Sequence, residues 1–398
     1  MIAKDTKTIG DGELAHRGCL RHQQKVQNRR WSVTGWSRMK ILFDGDIYSR
    51  TSFGGMVRYC NQLINGLVER GIQVDLVLSD RAREPRGSGF PRCRRIQGTV
   101  DPDSYDLRHC SYCSGWGTIQ AVPRVLTVHD MIDEMLPGPL VQMSSMAGRI
   151  VTKASAVLQA DHVVAISHTT KRDLLRHVDV PEHRISVIHH GLDPALAADL
   201  VDSQSGRGRA TDFQRKPYIL HVGGREGYKN FTFLLRAFAR SNTKDHATLV
   251  AVGSQQHFLA DEQVVIDEHG LSAHVALTGY VPDEHLTALY AGAALVVVPS
   301  LYEGFGYPLL EAMACGAPIA CSSAPALLEL GQGVPLVFDP HDVHSAARAL
   351  EDGLFQDHSE RVAQGRRIAQ RMSSSAMIDQ YIRMYERVLG NSGNDRAV

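Results

Sequence analysis

Two glutamates in a glycine-rich stretch give the strongest chemical signal in the chain. Glu303 lies in the turn Ser-Leu-Tyr-Glu-Gly-Phe-Gly-Tyr, which follows a strand-like apolar run, and Glu311 lies in the helical pattern that comes next. The peptide N–H groups of Phe305, Gly306 and Tyr307 are expected at a helix N-terminus, which carries roughly half a positive charge. Carboxylates on either side of such an anion site can accept hydrogen bonds from sugar or ribose hydroxyl groups.

A second glycine-rich loop, His-Val-Gly-Gly-Arg-Glu-Gly-Tyr-Lys-Asn, carries two cations. Arg225 and Lys229 are four residues apart and precede a helical pattern at 231–240. Two cations beside a helix N-terminus are suited to a diphosphate. The loop is not a P-loop, because that motif needs glycine before its lysine and Tyr228 stands there instead.

Further candidates follow the strand-like runs of the first half of the chain. Gly55, in Phe-Gly-Gly-Met-Val-Arg-Tyr, allows a ligand to come close to the backbone. His129 follows the run at 125–128 and is expected to point into a cleft. Asp44-Gly-Asp46 is a pattern that ligates metal ions in some enzymes, but the layout of the chain argues against that use, and we predict no metal site.

These residues need elements that bring them to one place, and apolar runs alternating with helical patterns indicate two parallel sheets covered by helices. We predict an α/β fold with two Rossmann-like, doubly wound domains that face a cleft, at 39–195 and 216–372, joined by a polar linker at 196–215. The predicted strands are 40–44, 72–78, 125–128, 163–166, 185–188, 218–222, 248–252, 275–277, 295–298, 318–321 and 336–338. The predicted helices are 55–70, 143–159, 231–240, 257–269, 283–291, 309–315, 342–352 and 376–389.

The composition excludes several classes of protein. The 398 residues include 43 Lys+Arg and 43 Asp+Glu, and this balance argues against a nucleic-acid partner. No window reaches the ~20 apolar residues of a membrane span. The cysteines are scattered, which is typical of reduced thiols in a cytosolic protein. Residues 1–38 lack apolar periodicity, so we interpret them as a disordered basic extension or a mis-assigned start that precedes Met39.

Taken together, the motifs resemble the retaining GT-B glycosyltransferases of family 4, over about residues 39–390. The most specific element is the Glu-x7-Glu pair in Ser-Leu-Tyr-Glu-Gly-Phe-Gly-Tyr-Pro-Leu-Leu-Glu-Ala-Met-Ala-Cys-Gly. Val-Gly-Gly-Arg-Glu-Gly-Tyr-Lys-Asn matches the phosphate loop of the family, and Phe-Gly-Gly-Met-Val-Arg-Tyr matches its N-terminal glycine loop. Val-Ile-His-His-Gly-Leu-Asp, at 187–193, looks like the segment that closes the first domain.

The resemblance implies a nucleoside-diphosphate sugar donor, GDP- or UDP-linked, with retained anomeric configuration and no resident cofactor. It also implies that a C-terminal helix at 373–390 crosses back to the first domain. The implied catalytic residues are Glu303, which would hold the donor sugar, and His129, which would contact that sugar near the reacting carbon. The implied donor-binding residues are Gly55 near the phosphates, Arg225 and Lys229 at the diphosphate, Tyr280 and Val281 at the base, Phe305, Gly306 and Tyr307 at the sugar, and Glu311 at the ribose.

The acceptor is less determined. The implied acceptor is a glycan or lipid-linked glycan bound by the first domain, and a hexose, with mannose favoured, is the expected sugar. The segment 81–95 holds six arginines and one acidic residue, so it is either a solvated loop or a contact with an anionic membrane surface. We therefore expect a cytoplasmic protein that can be peripheral at the inner face of the membrane. One alternative class is a non-catalytic sugar-nucleotide-binding or regulatory subunit on the same fold. Another is a different type of GT-B enzyme, such as an epimerase or a phosphorylase.

Overall fold

The computed structural model of this chain contains two parallel sheets, each with helices on both faces. The structure describes residues 39–52, 54–86, 89–101, 104–111, 122–138, 152–192 and 216–391. The predicted α/β class with two doubly wound domains is confirmed. The predicted extension at 1–38 and linker at 196–215 lie outside the described residues.

The first sheet has seven strands in the order β3-β2-β1-β4-β5-β6-β7, all parallel. Its strands are β1 (Lys40–Asp44), β2 (Gln73–Val77), β3 (Arg94–Ile96), β4 (Leu107–Cys110), β5 (Arg124–Val128), β6 (His162–Ala165) and β7 (Ile185–Val187). The helices of this part are α1 (Asp46–Arg50), α2 (Gly55–Glu69), α3 (Ile132–Met135), α4 (Lys153–Gln159) and α5 (His168–His177), with a 3₁₀ turn at Glu182–Arg184.

The second sheet has six strands in the order β10-β9-β8-β11-β12-β13, also parallel. Its strands are β8 (Tyr218–Val222), β9 (Thr248–Val252), β10 (Val275–Gly279), β11 (Leu295–Val298), β12 (Ile319–Ser322) and β13 (Leu336–Phe338). The helices are α6 (Phe231–Arg240), α7 (Thr243–His246), α8 (Ala260–His269), α9 (Asp283–Gly292), α10 (Tyr307–Cys315), α11 (Pro325–Gly331), α12 (Val343–Phe355), α13 (Ser359–Arg371) and α14 (Ser374–Asn391), with a 3₁₀ turn at Gly227–Lys229.

Apolar side chains alternate between the two faces of the second sheet. Leu220 and Val296 pack with α9, α10 and α13 on one face, whereas Ile219 and Val297 pack with α6, α8 and α12 on the other. This double burial explains why strands such as β11 are apolar at every position. In each sheet the strand order reverses beside the first strand, between β1 and β4 and between β8 and β11. Ligands of open α/β sheets bind beyond the carboxyl ends of the strands at such points.

The last helix, α14, returns to the first sheet. Its Tyr381 and Tyr385 belong to the buried core that also contains β1 and α2. The Tyr381 hydroxyl lies 2.7 Å from that of Tyr59, and the Tyr385 hydroxyl lies 2.5 Å from Nδ1 of His109. Burial lowers the pKa of His109 to about 3, so this ring is neutral near pH 7. Within the described ranges, no helix is both long enough and apolar enough to cross a membrane.

Candidate active site

Glu303 and Lys229 meet in the loops that follow β11 and β8. The ammonium of Lys229 donates to Oε1 of Glu303 at 2.8 Å, and the hydroxyl of Ser300 donates to the same oxygen at 2.7 Å. Burial lowers the pKa of Lys229, but the Glu303 carboxylate beside it outweighs burial, so the net pKa is raised and the amine stays charged. The pair places one fixed cation and one fixed carboxylate beyond the strand ends, where the sequence predicts the donor.

The loop that carries Lys229 is held in place by its neighbours. The N–H of Leu301 donates to the carbonyl of Tyr228 at 2.8 Å, which joins this loop to the one that carries Glu303. Asn230 adopts a left-handed conformation with φ of 61°, which asparagine tolerates better than most residues. Its side-chain amide donates to the carbonyls of Pro299 and Pro340, at 3.2 and 3.1 Å. Lys229 is therefore held in position by the contacts of its two chain neighbours, Tyr228 and Asn230.

The N-termini of two helices, α2 of the first domain and α10 of the second, contact each other. Gly55 begins α2, and a Cβ added to it would lie 2.9 Å from Cδ2 of Tyr307, the first residue of α10. Gly304 is packed more tightly, because an added Cβ would lie 1.9 Å from the carbonyl oxygen of His129. The carbonyl of Gly304 accepts from the hydroxyl of Ser167 at 2.7 Å. The glycine-rich turn is thus clamped against the first domain.

His129 lies in a cluster of rings at this junction. Its Nε2 lies 2.8 Å from the carbonyl of Ser111, so Nε2 carries the proton and Nδ1 is left as an acceptor. Burial lowers the pKa of His129 to about 4, although Asp130 opposes this shift. The sequence reasoning did not select His190 as a site residue, yet its ring lies 5.5 Å from that of His129 and stacks on Tyr307 at 5.0 Å. Its signal was the segment at 187–193, interpreted only as a domain boundary.

Glu311 is buried on the second turn of α10 and is paired across the cleft. It is 3% exposed, and the hydroxyl of Tyr290 donates to its Oε2 at 2.8 Å. Its Oε1 accepts from Nη1 of Arg58 on α2, and Nη2 of Arg58 reaches Oδ1 of Asp283 at 3.1 Å. Burial raises the pKa of Glu311, while the charge of Arg58 lowers it. Sequence reasoning missed Arg58, although it lies in the quoted glycine-loop motif.

Two family models match the chain on either side of the domain boundary. The model described as Glycosyltransferase Family 4 matches residues 53–196, and the model described as Glycosyl transferases group 1 matches residues 206–371. The chain belongs to the GT-B glycosyltransferases of family 4. The resemblance on which the sequence-based expectations depend is thereby confirmed.

Individual relatives agree with the family assignment. O-antigen chain mannosyltransferase B of Escherichia coli is 35% identical over 155 residues, which cover 38% of this chain and 41% of that protein. The match therefore spans about two fifths of that relative's length. Sucrose-phosphate synthase from Thermosynechococcus elongatus superposes with a TM-score of 0.67 at 22% identity, covering 89% of this chain and 100% of that one. HepE of Anabaena, solved in complex with UDP-glucose, gives 0.65 at 19% identity, covering 88% and 100%. At these identities the two structures show the fold alone.

Within this GT-B fold, Arg225 occupies a different setting from the one the sequence predicts. Arg225 is 2% exposed, and its Nε donates to the carboxylate of Glu262 at 3.0 and 3.2 Å. The other two nitrogens donate to the carbonyls of Gln255 and His257, at 3.1 and 2.5 Å. Three of its five N–H donors thus hold the segment 255–262 against the glycine loop, and its charge is already paired.

Tyr280 and Val281 follow β10, as expected, but their surroundings differ. Tyr280 is 39% exposed and lines a cavity of about 260 Å³ between the domains, which is also lined by Arg58, Asp283 and Arg86. Val281 is half-buried against the core of the second sheet. The cavity therefore adjoins Arg58 of the Arg58–Glu311 pair, and Glu311 is not among its lining residues.

The described residues offer one group with the composition of a metal site, formed by His168, His189 and Glu329. Its carboxylate is already engaged, because Oε1 accepts from the N–H of His168 and Oε2 from that of Thr169, each at 2.8 Å. These bonds cap the N-terminus of α5, where the helix dipole disfavours a cation. Asp44 of the Asp-x-Asp pattern instead accepts from Arg108 at 3.4 Å.

Proposed function

We propose that the chain is a retaining glycosyltransferase that transfers a hexose, with mannose favoured, from a nucleoside-diphosphate sugar to a glycan or lipid-linked glycan. The observation that carries this proposal is the Lys229–Glu303 pair at 2.8 Å, in loops that follow two neighbouring strands of the second sheet. A cation fixed beside a carboxylate at this edge of a parallel sheet is suited to a diphosphate and to the sugar attached to it.

In the proposed reaction, the bond between the sugar C1 and the leaving phosphate oxygen breaks while a hydroxyl oxygen of the acceptor bonds to C1 on the same face. The acceptor proton passes to the departing phosphate oxygen, so the products are the glycoside and a nucleoside diphosphate. Lys229 stabilises the negative charge that develops on the leaving group, in place of a metal ion. Glu303 accepts hydrogen bonds from the donor sugar, and Glu311 accepts them from the ribose.

His129 acts as a neutral acceptor in this scheme. Its Nε2 proton is committed to the Ser111 carbonyl, and its pKa is lowered to about 4, so its Nδ1 lone pair is available near pH 7 to a sugar hydroxyl. The backbone of Phe305, Gly306 and Tyr307, at the start of α10, adds positive potential toward the donor. Similarity to an O-antigen mannosyltransferase favours mannose, and the UDP-glucose complex of HepE supports a nucleotide-sugar donor.

The test measures turnover of GDP-mannose, GDP-glucose, UDP-glucose and UDP-galactose, with a chelator present throughout. We expect turnover with one nucleotide class, and Lys229→Met is expected to lower kcat/KM by roughly 10²–10³, as for loss of a charge-stabilising contact. Lys171→Met is the matched control, because Lys171 lies on α5 and pairs with the exposed Glu182 at 2.8 Å. Nucleotide binding without turnover would favour the non-catalytic alternative, and turnover that requires added metal would refute metal independence.

We also propose that the first domain meets an anionic membrane surface from the cytoplasmic side. Arg81, Arg83, Arg86, Arg92, Arg94 and Arg95 are all exposed in and around β3. Polybasic segments gain about 1 kcal/mol per basic residue near such a surface. Cosedimentation with vesicles of phosphatidylglycerol should be lost at high salt and weakened by Arg92→Gln/Arg95→Gln, with Arg361→Gln on α13 as the control. Binding that does not depend on lipid charge would contradict this proposal.

A further inference from the structure

Arg58 is the one described side chain of α2 that forms an ion pair with α10. It projects from the first turn of α2, and its guanidinium bonds to the carboxylate of Glu311 in the other domain and to Asp283 at the start of α9. The side chain of Arg58 is 22% exposed, whereas that of Glu311 is 4% exposed. The carboxylate that the proposed function assigns to the ribose is therefore completed by a residue from the opposite side of the cleft.

Because Glu311 is buried, its pairing with Arg58 affects the pKa of its carboxyl group. Removing a carboxylate from water favours its protonated form, and burial is the largest influence on the pKa of Glu311, which is raised. Among the charged and titratable groups around it, Arg58 opposes that rise, Asp283 adds to it, and Tyr290 donates a hydrogen bond. Cys315, one turn further on α10, and Tyr307 complete the titratable neighbours. Arg58 is thus the neighbour whose charge favours the ionised form of the carboxylate.

Arg58 also leaves room on the carboxylate for a ligand. Two carboxylate oxygens offer about four lone-pair sites, and the bonds from Arg58 and Tyr290 use one on each oxygen. The cavity lined by Arg58 and Asp283 adjoins the pair. Each oxygen of Glu311 therefore keeps a lone-pair site that, in the proposed function, accepts from a ribose hydroxyl group while Arg58 stays bound.

We propose that Arg58 is a positioning residue, which holds Glu311 ionised and oriented toward the ribose of the nucleotide donor, so that the ribose site is complete only when both domains contribute to it. This inference rests on the proposed function and adds to it a residue of the first domain that acts through Glu311.

The test measures the affinity of GDP and UDP by titration calorimetry between pH 5 and pH 8. Arg58→Met is expected to weaken binding of the preferred nucleotide at least tenfold at pH 7. It is also expected to move the acidic loss of binding to higher pH, because Glu311 then protonates at higher pH. Arg58→Lys should restore most of the affinity. Arg70→Met is the matched control, since Arg70 directly follows the same helix, pairs with Asp379 and has a side chain that is 23% exposed. It should bind like the wild type.

A double-substitution cycle separates action through Glu311 from direct contact with the nucleotide. In the Glu311→Gln background the side chain at position 311 cannot ionise, so adding Arg58→Met should change affinity by less than twofold and should not move the pH at which binding is lost. Removing both charges also avoids an unpaired buried carboxylate, so this pair remains testable if Arg58→Met alone fails to fold. Additive losses in the cycle, or wild-type affinity and pH profile in Arg58→Met, would overturn this inference alone. A wild-type protein that binds neither nucleotide would overturn the proposed function together with it.

Discussion

Glu303 is held by two donors on one oxygen, and this arrangement determines what the residue can do. Ser300 and Lys229 both bond to Oε1, which leaves Oε2 to accept from a ligand. Because the ammonium stays charged, the pair has no net charge before the donor arrives. In the proposed function, the diphosphate binds to Lys229 and brings negative charge next to Glu303, while the sugar binds to Glu303. Because Lys229 and Glu303 form one ion pair, we expect a change at either residue to affect the binding of both parts of the donor.

At Arg225 the same residue scale gives a prediction about stability. Replacing Arg225 with Met leaves Glu262, which is fully buried, as an unpaired carboxylate inside the second domain. Breaking a buried pair by removing one partner costs about 3–5 kcal/mol, so Arg225→Met should lower the free energy of unfolding by that order. Urea unfolding measures it, and Arg225→Met/Glu262→Leu should recover much of the loss. Full stability with lost nucleotide binding in the single variant would instead support the phosphate role that the sequence predicts.

At the scale of elements, the sequence predicts the second domain better than the first. β8, β9, β11 and β13 begin and end where the apolar runs predict, because buried parallel strands are continuous apolar segments. β3 and β4 were missed, since Arg-Arg-Ile is an edge strand and Leu-Arg-His-Cys interrupts its apolar positions with polar ones. Omitting β4 matters, because the first sheet reverses its strand order between β1 and β4.

The helices show the same dependence on context. α5, α11 and α13 were missed, whereas α6 was predicted at its observed bounds. α13 has few apolar residues, so its sequence gives a weak helical pattern. Its packing depends on Gly365, which lies against Met313 of α10, and this contact cannot be read from the sequence of α13. The residues of the candidate site were found where they sit in a motif, as with Glu303. Arg58 and Glu311 are 253 residues apart, and no spacing rule connects them.

The turn between β11 and α10 carries a prediction about Gly304. A methyl group at this position would collide with the His129 carbonyl, whose distance from an added Cβ is 1.9 Å, so Gly304→Ala must push the turn away from the first domain. We expect at least a tenfold loss of kcat/KM with the second domain still folded. Gly138→Ala is the control, since an added Cβ there meets nothing within 4 Å. Unchanged kinetics in Gly304→Ala would show that the contact between this turn and the first domain does not matter for turnover.

At the scale of the whole molecule, the two domains are joined by polar contacts on both sides of the cleft. Arg58 reaches Glu311 and Asp283 on one side. On the other, Glu329 of α11 caps α5 and also bonds to Nε2 of His189 at 2.9 Å. Burial would raise the pKa of Glu329, but these hydrogen bonds outweigh it and lower the pKa to about 2. A carboxylate that spans two domains therefore stabilises their contact through its charge.

The sign of the pH dependence follows from that lowered pKa. Since the pKa of Glu329 is about 2 in the folded protein and about 4.5 when unperturbed, its contribution is fully present above pH 4.5 and is lost as the pH falls toward 2. Glu329→Gln keeps an acceptor for α5 but removes the charge, so it should lower the free energy of unfolding at pH 7 by about 1.5–3 kcal/mol. The difference from the wild type should shrink below about pH 4.5. Glu182→Gln, an exposed partner of Lys171, should change stability by less than about 0.5 kcal/mol. A deficit in Glu329→Gln that stays constant down to pH 3.5 would show that shape, rather than charge, holds the domains together at this contact.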